Sequence, residues 1–166
     1  LSAGTYTVTV KDANGCLASA TTVVTQPDKL ELSLTPTAEQ CNENNDGKIV
    51  ASAKGGTMAY EYQLNSGAFQ SSNSFSNLSA GTYTVTVKDA NGCLATATTG
   101  VTQPDKLELS LTPTAEQCNE NNDGKIVASA TGGTTAYEYK LNGGAFQSSN
   151  EFTNLSAGTY TVTVKD

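Results

Sequence analysis

The chain has 166 residues, with nine lysines, no arginine, no histidine and no tryptophan, and its sixteen acidic residues give a net charge of −7. Nucleic-acid binding needs clustered cations to meet phosphates, and an arginine-free acidic chain offers none. There is no polybasic patch for anionic lipid and no apolar run of the ~20 residues that span a bilayer. Without histidine, and with its lysines scattered, the chain cannot assemble a nucleophile, base and orienter in the usual way, so no enzymatic activity and no catalytic residue is expected.

Self-similarity organises everything else. Residues 1–77 and 78–154 align without a gap and differ at eight positions: 19/96, 23/100, 54/131, 58/135, 63/140, 66/143, 74/151 and 76/153. A third copy begins at Leu155. A 77-residue period is long enough for each unit to be a small domain, so the expectation is beads on a string rather than a solenoid. The reading divides the chain into 1–27, the end of one repeat; 28–104, a complete repeat; and 105–166, a repeat lacking its last strand. With no initiator methionine and both ends inside a repeat, the chain reads as a piece of a longer protein.

In chain order, the first segment of the complete repeat is Leu30 to Leu34, where leucine alternates with polar residues. Asn42 to Gly47 then forms a polar loop, and Lys48 to Ala53 a further strand ended by Gly55 and Gly56. Tyr60, Tyr62 and Leu64 share one face of the next strand, with Glu61 and Gln63 opposite. Asn65 to Gly67 is a turn, followed by a polar, serine-rich strand pair to Leu78. The strongest segment is Gly81 to Val87, in which Tyr83, Val85 and Val87 alternate with threonines. Asp89 to Gly92 supplies turn chemistry, since Asn-Gly tolerates positive φ. Leu94 to Val101 is the last strand, and Pro104 ends it. About seven short strands with turn signals between them predict an all-β fold, tandem immunoglobulin-like or PKD-like antiparallel β-sandwiches with a 77-residue repeat. Leu78 to Tyr83 (LSAGTY) reads as a corner: Leu78 points inward, Gly81 permits the bend, and the Tyr83 hydroxyl bonds nearby backbone.

Two features invite chemistry. Asn42, Asn44 and Asp46, followed by Gly47 and repeated at Asn119, Asn121 and Asp123, match the oxygen spacing of the first half of a calcium loop. The position of the bidentate glutamate is Ala53, however, and a strand replaces the helix. A polar loop held by Asx turns is the simpler reading, so no cofactor is expected beyond this candidate calcium site. Paired carboxylates could serve a glycosidase, but Glu31, Glu61 and Glu108 fall on the solvent side of alternating strands.

The four cysteines, Cys16, Cys41, Cys93 and Cys118, recur at two places per repeat and suggest disulfides in an oxidising compartment. If Cys41 and Cys93 lie at opposite ends of one sandwich, they are too far apart to bond. Four readings stay open: Cys41 with the DANGC cysteine of the following repeat, which falls just past Asp166; Cys41 with Cys93; Cys16 with Cys41; and free thiols.

The stretches SAGTYTVTVKDANGC (79–93), CNENNDGKI (41–49) and the Gly-Gly-Thr that starts at Gly55 together resemble the SprB-type repeat of gliding-motility adhesins, and more broadly PKD and immunoglobulin-like surface modules. The resemblance covers essentially the whole chain. It departs where such repeats often carry Pro-Tyr and then a tryptophan, since Ala59-Tyr60 and Leu64 stand here. It implies a very long extracellular cell-surface protein, exported by the type IX route, associated with the outer membrane and in contact with the substratum. The partners it suggests are neighbouring repeats of the same chain and a surface polysaccharide or the substratum, with no nucleic acid and no membrane insertion. A passive spacer in a secreted polysaccharide-degrading enzyme and a self-assembling surface filament are the alternatives.

Overall fold

The computed structural model describes residues 1–118 and 122–166. Among them every regular element is a strand. They are β1 (Gly4–Lys11), β2 (Leu17–Val24), β3 (Glu31–Thr37), β4 (Gly47–Lys54), β5 (Glu61–Leu64), β6 (Ser74–Leu78), β7 (Gly81–Lys88), β8 (Leu94–Val101), β9 (Glu108–Thr114), β10 (Gly124–Thr131), β11 (Glu138–Leu141), β12 (Glu151–Leu155) and β13 (Val162–Lys165). No helix among the described residues is long and apolar enough to cross a membrane.

In the middle repeat the strands form two three-stranded sheets, ordered β3-β4-β6 and β5-β7-β8. Named as in an immunoglobulin domain, these are A-B-E and C-F-G, so the predicted all-β sandwich class holds. The edge position of β3 explains how it accommodates Pro36, whose missing N–H would break a central ladder. The third repeat pairs β9-β10-β12 and β11-β13 in the same way. Its core shows the two layers meeting: Ile126 and Ala128 of β10 and Phe152 of β12 pack with Tyr139 of β11 and Val162 of β13. Such burial is the main source of stability for so small a unit.

The strand count is six in the complete repeat rather than seven. The serine-rich pair expected before Leu78 reduces to one strand, β6, and a single bridge between Tyr62 and Gln70. Tyr62 and Gln70 exchange both backbone hydrogen bonds, at 2.7 and 2.9 Å. No further pairing extends the bridge, because the segment is polar and has no alternating face to bury.

By internal contacts the chain forms two compact units: residues 1–34, 51–73 and 84–98, and residues 35–50, 74–83 and 99–166. The first unit buries Leu30, Ala51, Tyr62, Val85 and Val87. The second buries Ile49, Phe75, Leu78 and Val101 as well as the core of the third repeat. In the middle repeat Val101 packs against Gly47 and the Leu78 backbone.

Candidate functional site

The LSAGTY corner is present in all three copies. The hydroxyl of Tyr83 donates to the Ser79 carbonyl at 3.0 Å, that of Tyr6 to Ser2 at 2.7 Å, and that of Tyr160 to Ser156 at 2.9 Å. Leu78 is buried as expected. The bend is made elsewhere than expected: the positive φ falls on Asn77, at 57°, and on its counterpart Asn154, at 58°. Asparagine visits the left-handed region more readily than other side-chain-bearing residues.

Two loops carry the remaining polar chemistry. The first is the turn after β7. Asp89 is only 3% exposed, and its carboxylate accepts the backbone N–H groups of Thr57 at 2.9 Å, Asn91 at 2.9 Å and Cys93 at 2.8 Å. The Thr57 bond, and then those from Cys93 and Asn91, hold this carboxyl below its ordinary pKa, while desolvation acts the other way. The Cys93 thiol also approaches the carboxylate. Asn91 reaches back to the Thr57 hydroxyl at 2.9 Å. Gly56, at φ +60°, leaves room for this arrangement, since a Cβ there would stand 2.7 Å from an Asp89 oxygen. Asp12 builds the same local turn with Asn14 and Cys16, and Asp166 accepts the Thr134 N–H at 2.7 Å.

The second is the loop from Cys41 to Gly47. One oxygen of Asp46 accepts the Gln40 N–H at 3.0 Å, and the other accepts the Asn44 side-chain amide at 2.8 Å. The Asn45 amide donates to the Glu43 carbonyl, and the Ser79 hydroxyl donates to Asn45. Glu43 and Asn45 supply the positive φ values, 58° and 57°. This is the net of Asx-type bonds expected of a self-contained polar loop. Asn42 points its amide away from the loop, donating to the Pro104 carbonyl at 3.0 Å. Beside it, the Glu43 N–H donates to the Gln103 side chain at 3.0 Å.

Gly47 has a different reason from the one the calcium spacing suggested. It is the buried first residue of β4, and a Cβ there would lie 2.5 Å from Val101 and 2.6 Å from the Leu78 carbonyl oxygen. Close packing demands glycine, and its φ is not positive. In the second copy Asp123 accepts the Gln117 N–H at 3.0 Å, while Asn119 and Asn121 lie outside the described residues. Among the described residues no three histidine, cysteine or acidic side chains gather as a metal site.

The glutamates on alternating strands sit in solvent and pair with lysines: Glu31 with Lys54, Glu61 with Lys88 and Glu138 with Lys165. Glu39 was not singled out by sequence reasoning. It is 3% exposed, with no hydrogen-bond partner for either carboxylate oxygen among the described atoms. Its position before a polar loop gives no periodic signal that it is buried. All four cysteines are free and exposed, so neither Cys41–Cys93 nor Cys16–Cys41 is bridged.

Small antiparallel sheets recurring along the chain, with polar residues that hold their turns, define an all-β repeat protein. The comparison with family models gives the particular repeat: the SprB repeat model matches twice, at residues 33–69 and 110–146. Over these two segments the chain is similar to the SprB repeat, a structural repeat domain. No curated protein matches the chain.

Proposed function

We propose that this chain is a repetitive stalk and adhesive segment of a large secreted cell-surface adhesin that serves gliding motility or surface attachment. In this reading the parent protein leaves the cell by the type IX route and is held at the outer membrane. Its repeats contact one another along the chain and a polysaccharide or solid substratum outside it.

The observation that carries the reading is the repeated polar sheet face. On β7 and β8 the hydroxyls of Thr84 and Thr98 bond each other across the strands at 3.2 Å. On β1 and β2 the pairs are Thr7 with Thr21 at 3.1 Å and Thr9 with Ser19 at 2.8 Å. These hydroxyls are exposed and held in rows by the ladder. A row of fixed donors and acceptors suits hydrated polysaccharide hydroxyls or a mineral oxide surface. Each contact is weak, and repetition multiplies it, because every further repeat binds at the effective concentration set by the last.

An antibody raised against the 166-residue chain tests the display. The reading predicts labelling of intact, unpermeabilised cells and loss of their attachment to glass when Fab fragments coat the repeats. Labelling only after permeabilisation would overturn it.

A further inference from the structure

We propose that the third repeat binds the anionic group of an acidic polysaccharide between Lys140 and Lys165, beside the ring of Phe146; this rests on the adhesive function proposed above and names its class of ligand.

The site follows from strand alternation. In β11 Tyr139 is buried and Leu141 packs against the core, so Glu138 and Lys140 share the outer face. In β13 Val162 is buried and Val164 packs beside it, so Thr163 and Lys165 share that face too. The antiparallel register sets Glu138 opposite Lys165, and Lys140 opposite Thr163. Lys165 pairs with Glu138 at 2.6 Å. Phe146, past the turn that follows β11, brings its ring to the same cluster. The Lys165 ammonium lies 4.6 Å from the ring centroid and the Lys140 ammonium 4.9 Å. The ring itself is 36% exposed.

Two ammonium groups thus share one exposed ring, and only one of them is neutralised. Among the described residues no carboxylate pairs with Lys140. The cluster carries one positive charge in excess, on a chain whose net charge is −7. Lys140 and Lys165 are 25 residues apart in sequence, so only the strand pairing brings them together.

The middle repeat has the same frame without the second cation. Lys88 pairs with Glu61 at 2.7 Å and lies 4.5 Å from the Phe69 centroid. Gln63 stands where Lys140 does, and its amide donates to the Gly67 carbonyl at 2.7 Å. There the charges balance. The change at position 63/140 therefore turns a neutral cluster into a cationic one on an unchanged frame. The outer side of β7 that presents Lys88 also presents Thr84, half of the Thr84–Thr98 hydroxyl pair.

Like charges held together repel, and an anion between them gains attraction from both. Lysine acts as a point charge with rotatable donors and lacks the fixed fork that selects one planar partner. The pair therefore accepts a carboxylate or a sulfate alike. The ring offers an apolar surface to the C–H face of the same sugar, and the exposed Thr163 hydroxyl offers a donor and an acceptor. A nucleic acid, with a phosphate every few ångströms, needs a longer basic track than one lysine pair supplies.

The test measures retention of the 166-residue chain on immobilised alginate, dextran sulfate and neutral dextran at low ionic strength. Lys140→Gln gives the third repeat the residue with which the middle repeat folds, and Gln63→Lys makes the reverse change. Lys48→Gln removes the same charge from β4 and is the control for net charge. The expected result is stronger retention on an acidic matrix than on dextran, lowered about five-fold by Lys140→Gln, the ratio that the upper range of an exposed ion pair gives. Gln63→Lys should raise it, Lys48→Gln should leave it unchanged, and salt at about 0.15 M should weaken it, because exposed charges are screened. The matrix that retains the chain distinguishes carboxylate from sulfate. Equal retention on acidic and neutral matrices, or equal effects of Lys140→Gln and Lys48→Gln, would overturn the site and leave the adhesive reading standing. No retention on any matrix would overturn both the site and the contact with polysaccharide.

Discussion

Asp89 accepts the backbone N–H of Thr57 at 2.9 Å, and through this bond the turn after β7 is tied to the turn after β4. Two more N–H groups, from Asn91 and Cys93, complete the carboxylate's shell. One side chain thus closes its own turn and locks it to a neighbour. Replacing it leaves three buried or half-buried donors without an acceptor.

Asp89→Ala is therefore expected to lower the Tm by several degrees. The pH dependence has a definite sign. The folded pKa lies below the unfolded one, so the stabilisation is fully present above the ordinary aspartate value of about 3.9 and is lost as pH falls through the folded value. Thermal melts of the wild type and Asp89→Asn from pH 7 to pH 2 should converge only below about pH 4. A gap between them that stays constant down to pH 2 would contradict this role.

Gly47→Ala is expected to destabilise by about 1–3 kcal/mol, the usual cost of forcing extra volume into a packed interior. The added methyl would meet Val101 and the Leu78 carbonyl oxygen, and the backbone oxygen has little freedom to retreat. Gly143→Ala is the control: a Cβ there meets no atom within 4 Å, and its φ is not positive. Chemical denaturation of the two variants should separate them clearly, and equal midpoints would contradict the packing account.

Tyr83→Phe removes only the hydroxyl that reaches the Ser79 carbonyl. The expected loss is about 0.5–1.5 kcal/mol, the net value of a typical intramolecular hydrogen bond. Chemical denaturation measures the loss, and an unchanged midpoint would contradict the corner's role.

Millimolar calcium should leave the Tm unchanged. Both Asp46 oxygens already accept hydrogen bonds within the loop, and the Asn42 amide is turned to Pro104. A binding ion would have to displace these bonds, whereas a preformed site would stabilise the fold by mass action. Calorimetric melts with calcium and with chelator decide it, and a reproducible rise with calcium would restore the site.

The strands were legible because alternation is a local property. GTYTVTVK forms a strand both as β1 and as β7. Gly47 was legible as a glycine with a purpose, but its purpose depends on Val101, 54 residues away. The left-handed bend at Asn77 was hidden beside a more obvious Gly81. Burial of Glu39 was hidden for the same reason as that of Gly47, since its backbone N–H joins Thr102, far along the chain.

The differences between the copies also make physical sense once the fold is known. Position 54/131 loses a lysine that pairs with Glu31, and position 74/151 gains Glu151, which pairs with Lys125 at 2.8 Å. Position 63/140 adds Lys140, which joins Lys165 over the Phe146 ring. Each pair lies at the surface, where an ion pair contributes ~0–1 kcal/mol, so the copies exchange contacts of small and similar value. Nothing in the structure explains the change from Val23 to Gly100.

Adhesion through repetition, as proposed, requires that binding grow with the number of repeats. The direct measurement is binding of one-repeat and four-repeat proteins to glass and to immobilised polysaccharide, at equal concentrations of repeat. The expected result is weak, rapidly reversible binding by one repeat and a ten-fold or greater gain in retention with four. Equal retention, or none by either, would contradict it and leave these sandwiches as a spacer that holds some other domain away from the cell.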